Sequence, residues 1–320
     1  MPSRESDQDD TGIRYNQAIR PHHEEFNHLA SIKIYEHASS VMACSRQQVQ
    51  GRDVTLSIDS VIIEEPLQIS LIYTDLDGIP KERVYLVTMR TPGDDQHLVI
   101  GLLLSEGIIQ HATDVVGIND QLDDDEIQPN EITVRLDAGI RIDWSSISRE
   151  TTSFSSCGVC GKSSMQSLEL RNIPSLDEQP HWLSVQAITS LSKALRSQQH
   201  LFSITGGVHG CGLFNQNGEL LESSEDIGRH NALDKLLGKR SKRPELCQNG
   251  KVIMLSSRIS FELVQKVLVA GVPVLVAVGA PSSLALNLAK RFNLTLIGFS
   301  QHGRFNVYHG AFRLRLQKIK

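Results

Sequence analysis

The sequence predicts an α/β protein, with a β-rich N-terminal domain joined to an α/β domain that ends in a βαβαβ unit. Three observations carry this. The last third alternates short, almost wholly apolar runs (VIML, VPVLVAV, LTLIGF) with segments of helical period, as a parallel sheet covered on both faces requires. Between Val61 and Leu136 the apolar residues are instead β-branched or aromatic and are broken by turn residues. With 320 residues, 40% of them hydrophobic, the chain has material for one large or two modest domains.

Taken in order, residues 1–45 read as a disordered tail rich in charge and histidine, with His22, His23, His28 and His37. Residues 46–150 form the β-rich domain. Val61–Ile63, Gln68–Thr74 and Arg83–Thr88 are strands, and DLDG (Asp75–Gly78) turns between the last two. After TPGDD the period becomes helical: Leu98, Gly101, Leu102 and Ser105 share a face, Asp94 or Asp95 caps the start, and Gly107 closes the segment. Asp123–Glu126 is a solvated acidic loop, and Glu131–Leu136 another strand. Residues 151–320 form the α/β domain. A helix runs from about Ser184 to Leu195, and Leu201–Thr205 reads as a strand ending in GGVHG. CGLFN and ELLES flank Gln216-Asn217-Gly218, a hairpin signal. Asp226–Gly238 reads as a helix stopped by Gly238. Three strands and two helices follow, with Gly271 as a C-cap and Ser282 or Ser283 as an N-cap.

Charge and composition exclude several classes. The net charge is −5, which weighs against a general nucleic-acid binder. The longest apolar stretch, Val267–Ala280, is broken by Gly271 and Pro273 and is too short to span a bilayer. The N-terminus lacks the basic-then-apolar order of a secretory signal, so a soluble, cytoplasmic protein without a membrane partner is expected. Five cysteines, an odd and sparse set, do not make a disulfide framework. Cys44, Cys211 and Cys247 read as small buried hydrophobes.

Two features carry chemistry. Ligands of open parallel sheets bind beyond the carboxyl ends of the strands. Those ends hold Ser256-Ser257-Arg258, Gly279 to Ser283 (GAPSS), and Phe299-Ser300-Gln301-His302-Gly303-Arg304. Ser282 and Ser283 open a helix, whose free N–H groups suit an anion, and Arg258 and Arg304 match phosphate oxygens. Any one of these serines is more simply a helix cap; their recurrence at three strand ends favours a phosphate-bearing ligand. Neither GxGxxG nor GxxxxGK[ST] is present.

The second feature is SSCGVCGKSS, with Cys157 and Cys160 three apart among glycines and serines. Structural zinc wants four ligands, and there is one pair. A zinc deaminase wants proline before the first cysteine, where Ser156 stands. A thioredoxin-like dithiol wants a strand ahead of it. A sulfur carrier wants an accessible thiolate, which Lys162 favours by charge, and a neighbouring thiol to release the sulfur. From the pair alone, carrier, redox and metal roles stand level.

Seven stretches together resemble the FdhD/NarQ formate dehydrogenase accessory proteins: RTPGDD with LLLSEGII, SSCGVCGKSS, TGGVHGCGLF, EDIGRHNALDKLLG, SSRISFELVQK, GAPSSLA and GFSQHGRFNVYHG. They run in the family's order over most of residues 60–310. Gln96 and His97 stand where the family has an acidic pair, and Ser224 where it has an arginine. The resemblance implies a cytidine-deaminase-like three-layer α/β domain, a homodimer and a sulfurtransferase. Cys157 would carry a persulfide taken from a cysteine desulfurase, with Cys160 as its partner. The acceptor implied is Mo-bis(molybdopterin guanine dinucleotide) on its way into formate dehydrogenase. Phe299 to Arg304 would contact the guanine dinucleotide, which GDP mimics. His209, Arg229 and His230 are expected near the same ligand as contacts or general acids. Asp226 needs only to cap its helix. The alternative is a chaperone that holds the cofactor or the apo-enzyme, its cysteines incidental.

Overall fold

A computed structural model describes residues 40–119, 130–142, 144, 173 and 175–316. It is mixed α/β. The strands are β1 (Val41–Gln50), β2 (Asp53–Ile62), β3 (Glu65–Thr74), β4 (Pro80–Arg90), β5 (Val115–Ile118), β6 (Glu131–Leu136), β7 (Leu183–Ser184), β8 (His209–Phe214), β9 (Leu220–Asp226), β10 (Val252–Leu255), β11 (Val274–Ala277), β12 (Thr295–Gln301), β13 (Arg304–His309) and β14 (Leu314–Arg315). The α-helices are α1 (Asp95–Ser105), α2 (Val185–Gln198), α3 (His200–Thr205), α4 (Arg229–Ser241), α5 (Pro244–Asn249), α6 (Phe261–Val269) and α7 (Ser283–Arg291).

The main sheet has the order β13-β12-β11-β10-β8-β9. β10, β11 and β12 are parallel, as the apolar runs predict, while β8 joins β10 and β13 joins β12 in antiparallel fashion. Side chains alternate across it. Leu213, Ile253, Leu255, Leu275 and Leu296 face α4, α6 and α7. Phe214, Val252, Met254, Val276 and Ile297 face α2. The result is three layers, helix on sheet on helix. The predicted hairpin joins β8 to β9, where the Asn215 carboxamide oxygen accepts the N–H groups of Asn217 and Glu219. Ser184 and Ser282 cap α2 and α7, their hydroxyls accepting the N–H of Ala187 and Ala285.

The second sheet, β4-β3-β6-β5, is covered on one face by α1. Asp75 makes the β3–β4 turn, its carboxylate accepting N–H groups of Asp77 and Ile79. α1 also crosses α4, and here glycine is required on both sides. A Cβ on Gly101 would stand 1.9 Å from the Asp234 carbonyl oxygen, and one on Gly238 would stand 1.9 Å from that of His97.

Several expectations are corrected. Leu201–Thr205 is helix, not strand: the Glu225 carboxylate takes the N–H groups of Leu201 and Phe202 at 2.9 Å, and Gly206 ends the turn with a left-handed φ of 67°. α4 begins at Arg229, since Asp226 ends β9, and it runs past Gly238 to Ser241. Neither carboxylate named for α1 caps it by side chain. Asp94 sits at the N-cap without a capping bond and pairs with Lys239 at 2.8 Å, while Asp95 takes the Arg90 guanidinium. Val41–Ser45, at the end of the stretch read as tail, lie in β1. Cys211 is buried as expected, but Cys44 is half-buried and Cys247 is exposed.

Candidate functional site: the carboxyl edge of the main sheet

The elements of the main sheet bring most of the sequence-predicted residues to one edge. β8 runs against β10, so its first residue, His209, lies level with the carboxyl end of β10. There Ser256 donates its N–H to the Gly210 carbonyl at 3.0 Å and accepts the Gly210 N–H on Oγ at 2.9 Å. His209 is paired with Asp226, which brings the end of β9 and the start of α4 to the same edge. Backbone bonds continue beyond the strands. Val278 donates to Leu255 at 3.0 Å, Gly279 to Ser257 at 3.2 Å and Phe299 to Gly279 at 3.2 Å. Ser256 to Arg258, Gly279 to Ser283 and Phe299 onward therefore form one continuous ledge. Its closeness demands glycine: a Cβ on Gly279 would stand 2.9 Å from the Arg258 Cα.

The segment Phe299 to Arg304 is the most unusual backbone on the ledge. The β12–β13 register slips between Gly298 and Gln301. Phe299 has φ 54° and is 41% exposed, a strained backbone for a bulky side chain. His302 and Gly303, φ 53° and 75°, supply the two left-handed positions of a tight hairpin loop. Ser300 is buried, Gln301 half-buried, and His302, Gly303 and Arg304 are exposed.

The ledge is rich in cations and helix N-termini. α4, α6 and α7 begin on it, at N-caps Gly228, Ser260 and Ser282. Arg229, Arg258 and Arg304 have no carboxylate within 4.0 Å among the described residues. His209 is held below the usual histidine range, first by burial and then by the positive charges of Arg229, His230 and Arg258. His230 is placed differently: its Nε2 lies 3.0 Å from the Glu262 carboxylate and 3.3 Å from Ser260 Oγ. The His230 hydrogen bond holds Glu262 below its ordinary pKa. Ser282 is spent on its cap and Ser256 on Gly210, whereas Ser283 is exposed.

A cavity of about 520 Å³ opens beside the ledge, reached past His209 and Ser256 and walled by Arg196, Gln199, Phe202 and Met254. Reading α3 as a strand hid Phe202 among these wall residues. The signal was Gly206-Gly207, which stops a helix as readily as it turns a strand. Ser224 is buried across from Cys211, and its hydroxyl has no partner among the described residues. Cys157, Cys160 and Lys162 lie outside the described residues. No group of three His, Cys, Asp or Glu among the described residues is arranged to hold a metal, and no described helix is long and apolar enough to cross a membrane.

Layers and ledge define a class: a helix–sheet–helix α/β protein with arginines gathered at the carboxyl edge of its central sheet. A sequence model of the FdhD/NarQ family matches residues 62–315. The chain is 39% identical over 278 residues to the Sulfur carrier protein FdhD of Streptomyces coelicolor, covering 85% of this chain and 95% of that one. It is 38% identical over 276 residues to the protein of that name from Mycobacterium tuberculosis, covering 84% and 95%. A crystal structure assigned as a formate dehydrogenase accessory protein from Desulfotalea psychrophila superposes with a TM-score of 0.62 at 25% identity, covering 86% of this chain and 99% of that one. The chain belongs to the FdhD/NarQ family.

Proposed function

We propose that this protein is a cytoplasmic sulfur carrier serving formate dehydrogenase, with the ledge as its docking site for an anionic, phosphate-bearing acceptor. The observation that carries the docking role is the meeting of Arg229, Arg258 and His209 with three helix N-termini on one edge. The carrier role is supported by the Cys157–Cys160 pair and by relatives named sulfur carrier proteins. The cargo is Mo-bis(molybdopterin guanine dinucleotide), and the donor a cysteine desulfurase. The three layers are read as a cytidine-deaminase-like arrangement.

In this reading the Cys157 thiolate attacks the outer sulfur of the desulfurase persulfide. A Cys157 persulfide forms, and the donor leaves as a thiolate. The Cys160 thiolate then attacks the inner sulfur. Hydrosulfide leaves toward the docked acceptor, and the Cys157–Cys160 disulfide that remains is reduced by an external thiol. The ledge arginines hold the diphosphate by bidentate bonds. Phe299 offers an exposed ring to a guanine, and His209, kept neutral, is ready to take a proton when an anion arrives.

The test is intact-protein mass spectrometry after incubation with a desulfurase and cysteine. A gain of one sulfur on Cys157, removed by reductant and absent from Cys157→Ala, is expected. Full formate dehydrogenase activity supported by Cys157→Ala would overturn the carrier role.

A further inference from the structure

The cavity beside the ledge has walls of two kinds. One kind suits a flat ring. Met254 and Val278 rise into it from the α2 face of the sheet, and Phe202 adds an aromatic side chain. The Arg196 guanidinium lies over the Phe202 ring, its Cζ 4.5 Å from the centroid, and is held there by bonds to the Gln199 backbone carbonyl at 3.3 Å and Ser203 Oγ at 2.8 Å. Aromatic rings, guanidinium planes and methionine are the surfaces on which heterocycles stack. The volume, about 520 Å³, falls within the range of small-molecule sites, about 300–1,000 Å³.

The other kind of wall donates hydrogen bonds. Among the described residues no carboxylate lines the cavity. Gln199 is 5% exposed, and its Nε2 is enclosed without an acceptor among the described residues. The side chain is seated against Gly210, where a Cβ would stand 2.4 Å from that nitrogen. Half a turn of the carboxamide exchanges nitrogen and oxygen without moving the rest of the side chain. Ser256 Oγ accepts the Gly210 N–H, which leaves its own proton to donate. A buried donor without a partner weakens a fold, and an acceptor on a ligand relieves it.

Stacking surfaces select a ring, and donors select one that brings acceptors. A fused heterocycle with a ring carbonyl has both properties. The ledge says what such a ring is joined to. β10 stands two strands from β12, about 10 Å away at about 4.8 Å per strand. A diphosphate on Arg258 then has Phe299 toward one end and the cavity mouth, at Ser256 and His209, toward the other.

We propose that the cavity is a second ring subsite, taking a carbonyl-bearing heterocycle joined to the diphosphate, with the Gln199 carboxamide bonded to the ring carbonyl. Pterin and guanine share that group. The proposal rests on the docking role proposed for the ledge, with guanine at Phe299 and pterin in the cavity. The test titrates 6-hydroxymethylpterin, followed by its own fluorescence, into protein saturated with GDP. Pterin is expected to bind beside GDP. 2-Aminopteridine, which lacks the carbonyl, should bind at least tenfold more weakly, a comparison that needs no variant. Gln199→Met should lose at least tenfold in pterin affinity and keep its affinity for GDP. Its melting temperature should equal or exceed that of the wild type, because an unpaired donor is removed; a merely structural Gln199 would lower it. If pterin displaces GDP and Gln199→Met weakens both, the ring in the cavity is guanine and the subsite stands. Equal binding of the two pteridines, no measurable pterin binding beside a GDP site indifferent to Gln199→Met, or pterin affinity untouched by that change would each overturn the proposal. GDP binding that still depends on Arg258 would then leave the ledge reading in place. Pterin held through Gln199 by a protein that binds no GDP would sink the ledge reading and keep the subsite.

Discussion

The middle and the start of α4 use charge in opposite ways. In its middle, Asp234 and Lys235 are buried and matched. Lys235 pairs with Asp226 at 2.8 Å and donates to the Thr91 carbonyl, while Asp234 pairs with Lys266 at 2.9 Å and accepts the Ser105 hydroxyl. At its start, Arg229 has no carboxylate within 4.0 Å among the described residues and shares the ledge with Arg258 and His209. Buried charge must be compensated within the fold, so the matched set holds α1, α4 and α6 together and ties the two sheets. Cations left unmatched at a surface contribute little to stability and remain available to a ligand. The difference teaches where to look for function on this helix: where the partners are missing.

This contrast can be broken by measurement, the largest effect first. Lys235→Met keeps the volume but strands a fully buried Asp226, and should cost about 3–5 kcal/mol in denaturant unfolding. Loss of less than about 1 kcal/mol would mean the pair is not the anchor described. Gly101→Ala forces the helices apart, because its Cβ has nowhere to go. It should cost about 1–3 kcal/mol or more, read from the same unfolding curves. Arg258→Ala should leave stability within about 0.5 kcal/mol while weakening GDP at least about tenfold by calorimetry. A variant that binds GDP normally removes Arg258 from the ledge's function.

The smallest effect sharpens the contrast through pH. His209 titrates below 6.5 in the free protein, so its contribution to stability is full above about 6.5 and shrinks as pH falls through the lowered value. A bound diphosphate reverses the surrounding charge and should raise that pKa. GDP is then expected to bind more tightly as pH falls from about 7.5 to 6. NMR titration of His209 with and without GDP checks this, and an unmoved midpoint would place the phosphates away from it.

By itself the sequence determined the elements whose pattern is local. VIML, VPVLVAV and LTLIGF are legible because a strand buried on both faces is apolar throughout. Ser184, Ser282 and the Asn-Gly turn announce their places because capping and turning depend on neighbours three or four residues away. It also placed the three strand ends that make the ledge, and the resemblance named the family. Tertiary structure decided the rest. α3 is six residues long, too short to show a period, and its cap is Glu225, a residue of another element. Gly238 looks like a stop because its real reason, the His97 carbonyl, belongs to α1. His209, Arg229 and Arg258 are scattered in the chain, and no local rule joins them. The antiparallel pairing of β8 with β10 does, because it brings the start of one strand and the end of the other to the same edge.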